Sequence, residues 1–447
     1  MNTPICDFVK AYSADTALRL HMPGHKGKAQ LGFEKYDITE IVGADSLYHA
    51  DGIIKESEEN ATALFGSGKT LYSTEGSSHC IRAMLHLAKT YCGSDGGYIL
   101  AGRNAHSSFI SACALNDIDV EWIYPSDTES YLSCVITAEK LEKSLSCVDK
   151  MPIGVYVTSP DYLGNMCDVA SLAEVCTKHG TLLFVDNAHG AYLKFLENDI
   201  HPITLGAHLC CDSAHKTLPV LTGGAYLHVS KNAPDFFKDN AKDALSLFGS
   251  TSPSYLTLAS LDNANKYLSD GFFGKLNDFV KRLYEHIENS KLSILSPCLF
   301  LREPLKIVLE PKKFGYRGGD FAKILEGKNI VCEFFDDDYL VLMPSPENGA
   351  CELDALFTVL NETEIKAPIT SEAMPLIPPR KVMSPRRAVF SNKETVDADH
   401  AVGRVLATSC VSCPPAVSLI VCGEEFNESA LELCKKYGFT KFNVVKK

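Results

Sequence analysis

The stretch Thr181-Leu-Leu-Phe-Val-Asp-Asn-Ala-His-Gly190 decides the fold class of this chain. Its first part, Thr181–Val185, is an apolar run without polar alternation, which is typical of a strand covered on both faces of a sheet. The run delivers Asp186 at the carboxyl end of that strand, where α/β proteins bind their ligands. At this position Asp186 suits three roles: a metal ligand, a general base, or the partner of a cationic ring nitrogen.

Similar segments lie on both sides of this stretch. Short apolar runs predict four more strands, and helical patterns lie between them. The strands are Tyr98–Ala101, Ile153–Thr158, His208–Cys211 and Ala225–Val229, and the helices are Ser78–Tyr91, Ser107–Asn116, Thr137–Val148 and Val169–His179. The alternation of buried strands with helices predicts an α/β protein with a mainly parallel, doubly wound sheet.

A chain of 447 residues suits one large and one smaller domain. We expect an N-terminal segment over residues 1–40, a large ligand-binding domain over 41–265 and a smaller α+β domain over 266–447. A helical stretch over 254–291, interrupted near Gly271 and Gly274, is expected to link the two domains. Further elements are predicted at Lys306–Glu310 (strand), Phe321–Lys328 (helix), Val331–Phe335 with Tyr339–Met343 (hairpin), Ala367–Ala388 (extended, with five prolines), Ser418–Val421 (strand) and Ser429–Tyr437 (helix).

The composition excludes several classes of protein. A formal net charge of −13 argues against nucleic-acid binding. The 17 cysteines show no metal-type spacing, so we expect no metal site and a reducing compartment. Because there is no secretory signal and no apolar run of membrane-spanning length, we expect a cytoplasmic protein without membrane contact.

A lysine follows the next predicted strand, in Cys211-Asp-Ser-Ala-His-Lys216. Taken alone, a Ser-x-His-Lys string is more typical of a surface loop. Here Asp186 ends the preceding strand, so the two side chains are expected to meet at one edge of the sheet. Desolvation at such a place lowers the pKa of a lysine, as imine chemistry requires.

Two further segments suit the same site. In Thr74-Glu-Gly-Ser-Ser-His79 the residues Gly76, Ser77 and Ser78 precede a helix, where they form either a phosphate cradle or a plain N-cap. His106 ends a third strand, where an imidazole either stacks on a flat ring or is structural. Together with Asp186 and Lys216, these groups match the needs of pyridoxal phosphate.

The motifs themselves resemble those of the ornithine/lysine/arginine decarboxylase family of fold-type I pyridoxal-phosphate enzymes. The resemblance runs from about residue 17 to 265 and continues more weakly to the C-terminus. The motifs that carry it are His21-Met-Pro-Gly-His-Lys-Gly27, Asp186-x-Ala-His-Gly190 and Ser213-Ala-His-Lys-Thr-Leu-Pro219, with degenerate ones at Ser384-Pro-Arg-Arg-Ala388 and Cys413-Pro-Pro415. It implies the short form of the family, without an N-terminal receiver-like domain.

The resemblance also implies roles for single residues. Lys216 would carry the cofactor as a Schiff base, Asp186 would pair with its pyridinium, and Ala188 would pack under the ring. His106 would stack over the ring. Phosphate ligands or their neighbours would be Ser77, Ser78, Ser213 and His215. Thr251 matches a segment that reaches the cofactor of the neighbouring subunit, which implies a homodimer or higher oligomer with shared active sites.

The expected reaction is α-decarboxylation of arginine, lysine or ornithine to an amine that serves polyamine biosynthesis. Lys216, Asp186, His106 and His215 would be catalytic, and His215 or Lys216 would return a proton to Cα. Three departures stand out: Asn187 replaces an acid, Arg387 replaces a Glu and Ala416 replaces a Gly. The last two fall in the region expected to read the substrate. Two alternatives therefore stay open: another pyridoxal-phosphate reaction, such as transamination, elimination or retro-aldol cleavage, or an inactive cofactor-binding regulator.

Overall fold

The structure is a computed structural model that describes residues 1–93, 97–124, 132–292, 294, 302–370, 377–413 and 417–447. Its centre is a seven-stranded sheet with the strand order β1-β7-β6-β5-β4-β2-β3. The strands are β1 (Lys69–Ser73), β2 (Tyr98–Gly102), β3 (Asp119–Ile123), β4 (Gly154–Thr158), β5 (Leu183–Asp186), β6 (Leu209–Asp212) and β7 (Ala225–Val229). Neighbours from β3 to β6 pair in parallel, and β7 is antiparallel to both β1 and β6. The predicted mainly parallel sheet is confirmed.

Helices precede the sheet and connect its strands. They are α1 (Pro4–Ala14), α2 (Ile53–Phe65), α3 (Ser77–Cys92), α4 (Ser107–Asn116), α5 (Ala138–Ser146), α6 (Val169–Lys178), the short α7 (Ala214–Thr217), α8 (Asp235–Ser246) and α9 (Tyr255–Tyr267). Each predicted helix of this region forms with ends within a few residues of those expected. Within the described residues, no helix is both long and apolar enough to cross a bilayer.

Strand β5 shows why its sequence lacks polar alternation. Leu183 and Val185 pack into one hydrophobic cluster, whereas Phe184 between them packs into another on the opposite face. Successive side chains of a strand point to opposite faces, so both faces of β5 are covered. This double burial fixes the strand that ends at Asp186.

Gly154 on β4 is required by this packing. A Cβ atom at residue 154 would lie 2.3 Å from Cε2 of Phe184. We expect Gly154→Ala to lower the free energy of unfolding by about 1–3 kcal/mol, because the buried ring cannot move away freely. Gly274→Ala is the control, since a Cβ there meets no heavy atom within 4 Å. Urea unfolding of both variants checks this, and equal midpoints for Gly154→Ala and the wild type would contradict it.

The predicted long helix is broken as expected. The α-helix α9 is followed by an irregular turn at Leu268–Phe272, where Gly271 has a φ of +102°, and α10 (Phe273–Glu288) then begins. Gly274 lies within α10 and does not interrupt it.

The C-terminal part consists of small sheets and helices. They are β8 (Ile307–Leu309), α11 (Gly318–Glu326), β9 (Phe334–Phe335), β10 (Leu340–Leu342), α12 (Gly349–Glu362), β11 (Arg380–Lys381), α13 (Pro385–Val389), β12 (Lys393–Asp397), β13 (Cys410–Cys413), β14 (Val417–Val421), β15 (Glu424–Glu425), α14 (Glu428–Lys436) and β16 (Lys441–Val445). Strands β9 and β10 pair antiparallel, as the predicted hairpin requires. The domain boundaries at residues 40 and 265 stay a prediction.

The proline-rich connection differs from its prediction at its end. Pro385 opens α13 at its first turn, and the Ser384 hydroxyl caps that helix by accepting the Arg387 N–H. Proline lacks only an N–H that the first turn of a helix leaves unpaired, so it starts a helix as readily as it ends one. Pro375 lies outside the described residues.

Candidate active site

A cavity of about 310 Å³ lies at the carboxyl edge of the parallel strands. It is lined by Glu75, Gly76, Ser77, Ser78, Asn104, His106, Leu132, Thr158, Tyr162, Asp186, Ala188, His189, Ser213, His215, Lys216, Thr222, Gly223 and Val417. Every residue predicted for the site is therefore present except Thr251. Their individual roles stay predictions.

Lys216 lies in α7, directly after β6. Its Nζ is 3.0 Å from Nε2 of His189. Burial lowers the pKa of Lys216 below its usual range, and the negative charge of Asp186 opposes this shift only in part. Burial thus shifts Lys216 toward the neutral amine, which is the nucleophilic form.

Asp186 ends β5 and is buried. The Tyr156 hydroxyl donates a hydrogen bond to its Oδ2 at 3.0 Å, and the backbone N–H of Ala188 donates to its Oδ1 at 3.2 Å. Both bonds fix the plane of the carboxylate. A cationic nitrogen in the cavity would therefore meet a charge that is already oriented.

An anion cradle forms where α3 and α7 begin. Gly76 precedes α3 with a φ of +74°, and its N–H donates to the Gly223 carbonyl oxygen at 2.7 Å. The Ser213 hydroxyl lies 2.7 Å from the Ser77 hydroxyl, which brings the starts of the two helices together. Nδ1 of His215 donates to the Gly224 carbonyl oxygen at 3.0 Å. Hydroxyls and a helix N-terminus suit a phosphate group.

His106 is held in one orientation. Its Nδ1 accepts a hydrogen bond from the Ser108 N–H at 3.2 Å and lies 2.7 Å from the Ser108 hydroxyl. Burial lowers the pKa of His106, so the ring is neutral near pH 7. A neutral, fixed imidazole on the cavity wall suits stacking on a flat ring.

Nine lining residues were not among the predicted site residues, and among these nine are Asn104, Thr158, Tyr162 and His189. His189 is 6% exposed, and its ring packs edge-on against Tyr162 with centroids 5.3 Å apart. Burial holds the pKa of His189 well below its usual range, and the nearby positive charges of Lys306 and Lys216 act in the same direction. Its place in the Asp186-x-Ala-His-Gly190 motif was a signal for His189. For Asn104, Thr158 and Tyr162, the only signal in the sequence was a position at or just after the end of a predicted strand.

The departures from the family pattern lie in different places. Arg387 is exposed on α13, which packs against α4, and it is not among the described residues that line the cavity. Arg387 therefore lies away from the cavity of its own chain, and the expectation that its region reads the substrate stays a prediction. Asn187 donates from Nδ2 to Oδ1 of the buried Asp212 at 2.7 Å. Residues 414–416, which include Ala416 and most of the Cys413-Pro-Pro415 motif, lie outside the described residues.

Thr251 is exposed. The neighbouring Ser250 N–H donates to the Glu75 carboxylate at 2.6 Å, so this segment begins at the rim of the cavity. Its expected contact with a neighbouring subunit stays a prediction.

Asp212 is the centre of a buried polar cluster behind the cavity. Its Oδ2 accepts hydrogen bonds from Nε2 of His201 and of His228, both at 3.0 Å. Burial would raise the pKa of Asp212, but the two imidazoles lower it, so the carboxylate is ionised. His201, Cys210 and Asp212 also offer atoms within 4.8 Å of one another that could hold a metal ion. The hydrogen bonds already account for this arrangement.

These residues fit pyridoxal phosphate. The cradle suits its phosphate, Asp186 its ring nitrogen and Lys216 its aldehyde. In addition, the buried side-chain atoms Nδ2 and Oδ1 of Asn104 and Oγ1 of Thr158 have no hydrogen-bond partner among the described residues, although both residues line the cavity. Buried polar groups are rarely left unpaired, so a ligand with polar atoms is expected there.

Comparisons with known proteins agree with this fit. Residues 3–302 match the family model described as Orn/Lys/Arg decarboxylase, major domain, and residues 369–437 match that of the C-terminal domain. An arginine decarboxylase of Halalkalibacterium halodurans is 28% identical over 458 residues, which cover 96% of this chain and 92% of that protein. The arginine decarboxylase of Bacillus subtilis is 28% identical over 456 residues, covering 95% and 91%.

Solved structures show the same fold. The lysine decarboxylase of Francisella novicida superposes with a TM-score of 0.77 and 19% identity, covering 99% of this chain and 81% of that one. The predicted fold class is confirmed: a fold-type I large domain with a smaller C-terminal part.

Proposed function

The chain belongs to the Orn/Lys/Arg decarboxylase family, and from this premise we propose that it removes the α-carboxylate of arginine, lysine or ornithine and releases the corresponding amine. The observation that carries the proposal is the desolvated Lys216 amine in one cavity with Asp186 and the anion cradle. When bound, pyridoxal phosphate supplies an electron sink for the bond broken at the substrate Cα. As a member of this family, the chain is an amino-acid decarboxylase.

The residues that line the cavity would bind different parts of the cofactor. Ser77, Ser78, Ser213 and His215 would hold the phosphate, while His106 and Ala188 would confine the ring between them. The oriented carboxylate of Asp186 would keep the ring nitrogen protonated, which stabilises negative charge at Cα.

The proton that returns to Cα would come from Lys216 or His215. Nζ of Lys216 lies 3.0 Å from Nε2 of His189, and the low pKa of His189 keeps one of its two ring nitrogens free to accept a hydrogen bond. The amine of Lys216, once displaced by the substrate, would thus stay beside the reacting carbon and keep its orientation. His189 is a positioning residue in this scheme.

Arginine is the first substrate to test, because the two relatives described above are arginine decarboxylases. We propose that the enzyme is a cytoplasmic homodimer with Thr251 at the partner's site, and that its product serves polyamine synthesis. Transamination, elimination and retro-aldol cleavage are less well supported. Arg387, whose charge would suit a substrate carboxylate, lies away from the cavity of its own chain.

The proposal is tested by incubating the purified protein with pyridoxal phosphate and each of the three amino acids. We expect carbon dioxide and amine in equal amounts from at least one of them, with glutamate as the negative control. Conversion of the amino acid without release of carbon dioxide would replace the proposal with another reaction of the same cofactor. No turnover of any amino acid, despite a visible band of bound cofactor, would favour the inactive regulator.

A further inference from the structure

We propose that Asn104 and Thr158 form an oxyanion-binding pair at the end of the cavity opposite the phosphate cradle. The oxyanion is either the ring hydroxylate of the cofactor or the α-carboxylate of the substrate. The inference rests on the proposed function, since both sources belong to that reaction.

Asn104 is the first half of the pair. Its side chain is 4% exposed and lines the cavity, yet neither its Nδ2 nor its Oδ1 finds a hydrogen-bond partner among the described residues. A buried side-chain amide whose NH₂ group and carbonyl oxygen both lack hydrogen bonds is rare in folded proteins. A ligand in the cavity removes the deficit.

Thr158 is the second half. It ends β4 and pairs in register with Asp186 on β5. Thr158 lines the cavity, and its buried Oγ1 has no partner within the described ranges. The neighbouring Ser159 hydroxyl is engaged, because it accepts the Cys167 N–H at 3.0 Å. The free hydroxyl of Thr158 is therefore available to a ligand.

The sheet order places the pair relative to the rest of the site. The anion cradle is formed by the segments after β1 and β6, and Asp186 ends β5. Thr158 ends β4, and Asn104 follows β2. Asp186 thus stands between the cradle and the pair. A cofactor with its phosphate in the cradle and its ring nitrogen at Asp186 presents its remaining polar groups, and those of the substrate, toward the far strands.

The loop that carries Asn104 is anchored from both sides. The Arg103 guanidinium donates to the Ser418 carbonyl oxygen at 2.8 Å and forms a buried ion pair with Glu424 at 3.1 Å. The Arg103 N–H donates to the Ile123 carbonyl oxygen at 2.9 Å. A polar group on such a fixed loop loses little freedom when it binds a ligand.

The chemistry of the pair favours an anionic oxygen. An amide NH₂ and a hydroxyl are uncharged donors that can converge on one acceptor, and hydrogen bonds to a charged oxygen are stronger than those to a neutral one. A substrate ammonium group would instead seek a carboxylate, and Glu75 on the cavity wall provides one that the ring nitrogen does not use.

The test uses the holoenzyme and the variants Thr158→Val and Asn104→Asp, which keep the side-chain shapes and remove donors. Thr158→Ser, which restores the hydroxyl, is the rescue variant, and Ser107→Ala in the same segment is the matched control. Two quantities are measured: the pH midpoint of the visible band of the bound cofactor, and the apparent affinities for arginine and for its decarboxylated amine, both read from that band.

If the ring hydroxylate is the ligand, each donor-removing variant shifts the pH midpoint by about one unit, tenfold in proton affinity, without substrate. If the carboxylate is the ligand, the midpoint stays and the affinity for arginine falls about tenfold, whereas that for the amine does not change. Unchanged midpoints and affinities in both variants overturn the inference. A wild-type protein with no cofactor band overturns the proposed function itself, so the two failures are distinguishable.

Discussion

Lys216→Ala is expected to lower the rate of carbon dioxide release by about 10⁴-fold or more, the scale on which the loss of a covalent catalytic group acts. Lys216 is the amine that would form the covalent bond to the cofactor. Alanine removes that bond and also the group placed 3.0 Å from His189. Lys178→Ala is the matched control, because Lys178 is an exposed lysine that pairs with Glu142 away from the cavity.

A second readout keeps this prediction independent of turnover. Borohydride reduction of the loaded wild-type protein should add the mass of the cofactor to the peptide that contains Lys216, and Lys216→Ala should show no such addition. Lys306 is the informative rival, since it is also buried and burial lowers its pKa to about 8. Cofactor mass on the Lys306 peptide of the wild type would contradict the assignment.

Much of the sheet could be predicted because its inner strands are buried on both faces. The ends of β4, β5 and β6 were expected within two residues of their observed places. The edge strands β1 and β3 gave no comparable signal, because polar residues interrupt their apolar runs. Thr70 and Ser73 of β1 are polar although buried, and β3 contains two acidic residues. In β3, Asp119 and Glu121 form ion pairs with Lys381, which lies more than 250 residues later in the chain, and no local pattern predicts such a contact.

The candidate site was predictable where one segment carries both its structure and its chemistry. Asp186 and Lys216 each follow an apolar strand, so the sequence places them at the same edge. Asn104 and Thr158 stand out only in the folded structure, where their buried polar atoms have no hydrogen-bond partner among the described residues. Such a deficit exists only after the strands have assembled. Arg387 shows the converse case, in which a motif residue is exposed on a short helix away from the cavity of its own chain.

Asp186→Asn is expected to lower the decarboxylation rate by about 10²- to 10³-fold, the cost of losing one oriented electrostatic contact in a closed site. Asparagine retains the shape of the side chain but cannot hold a proton on the ring nitrogen by its charge. The loss should appear in kcat more than in KM, because the charge acts on electrons that arrive only as the bond breaks.

Tyr156→Phe separates the charge of Asp186 from its orientation. This variant removes the hydroxyl that donates to Oδ2 at 3.0 Å and leaves the carboxylate in place. One neutral-to-charged hydrogen bond is worth about 1.5–3 kcal/mol, which sets an upper limit of about 10- to 150-fold on its effect. Equal losses in Tyr156→Phe and Asp186→Asn would mean that orientation, rather than charge, is what Asp186 contributes. A wild-type rate in Asp186→Asn would contradict the role of Asp186, because an uncharged side chain at this position would then serve as well as the carboxylate.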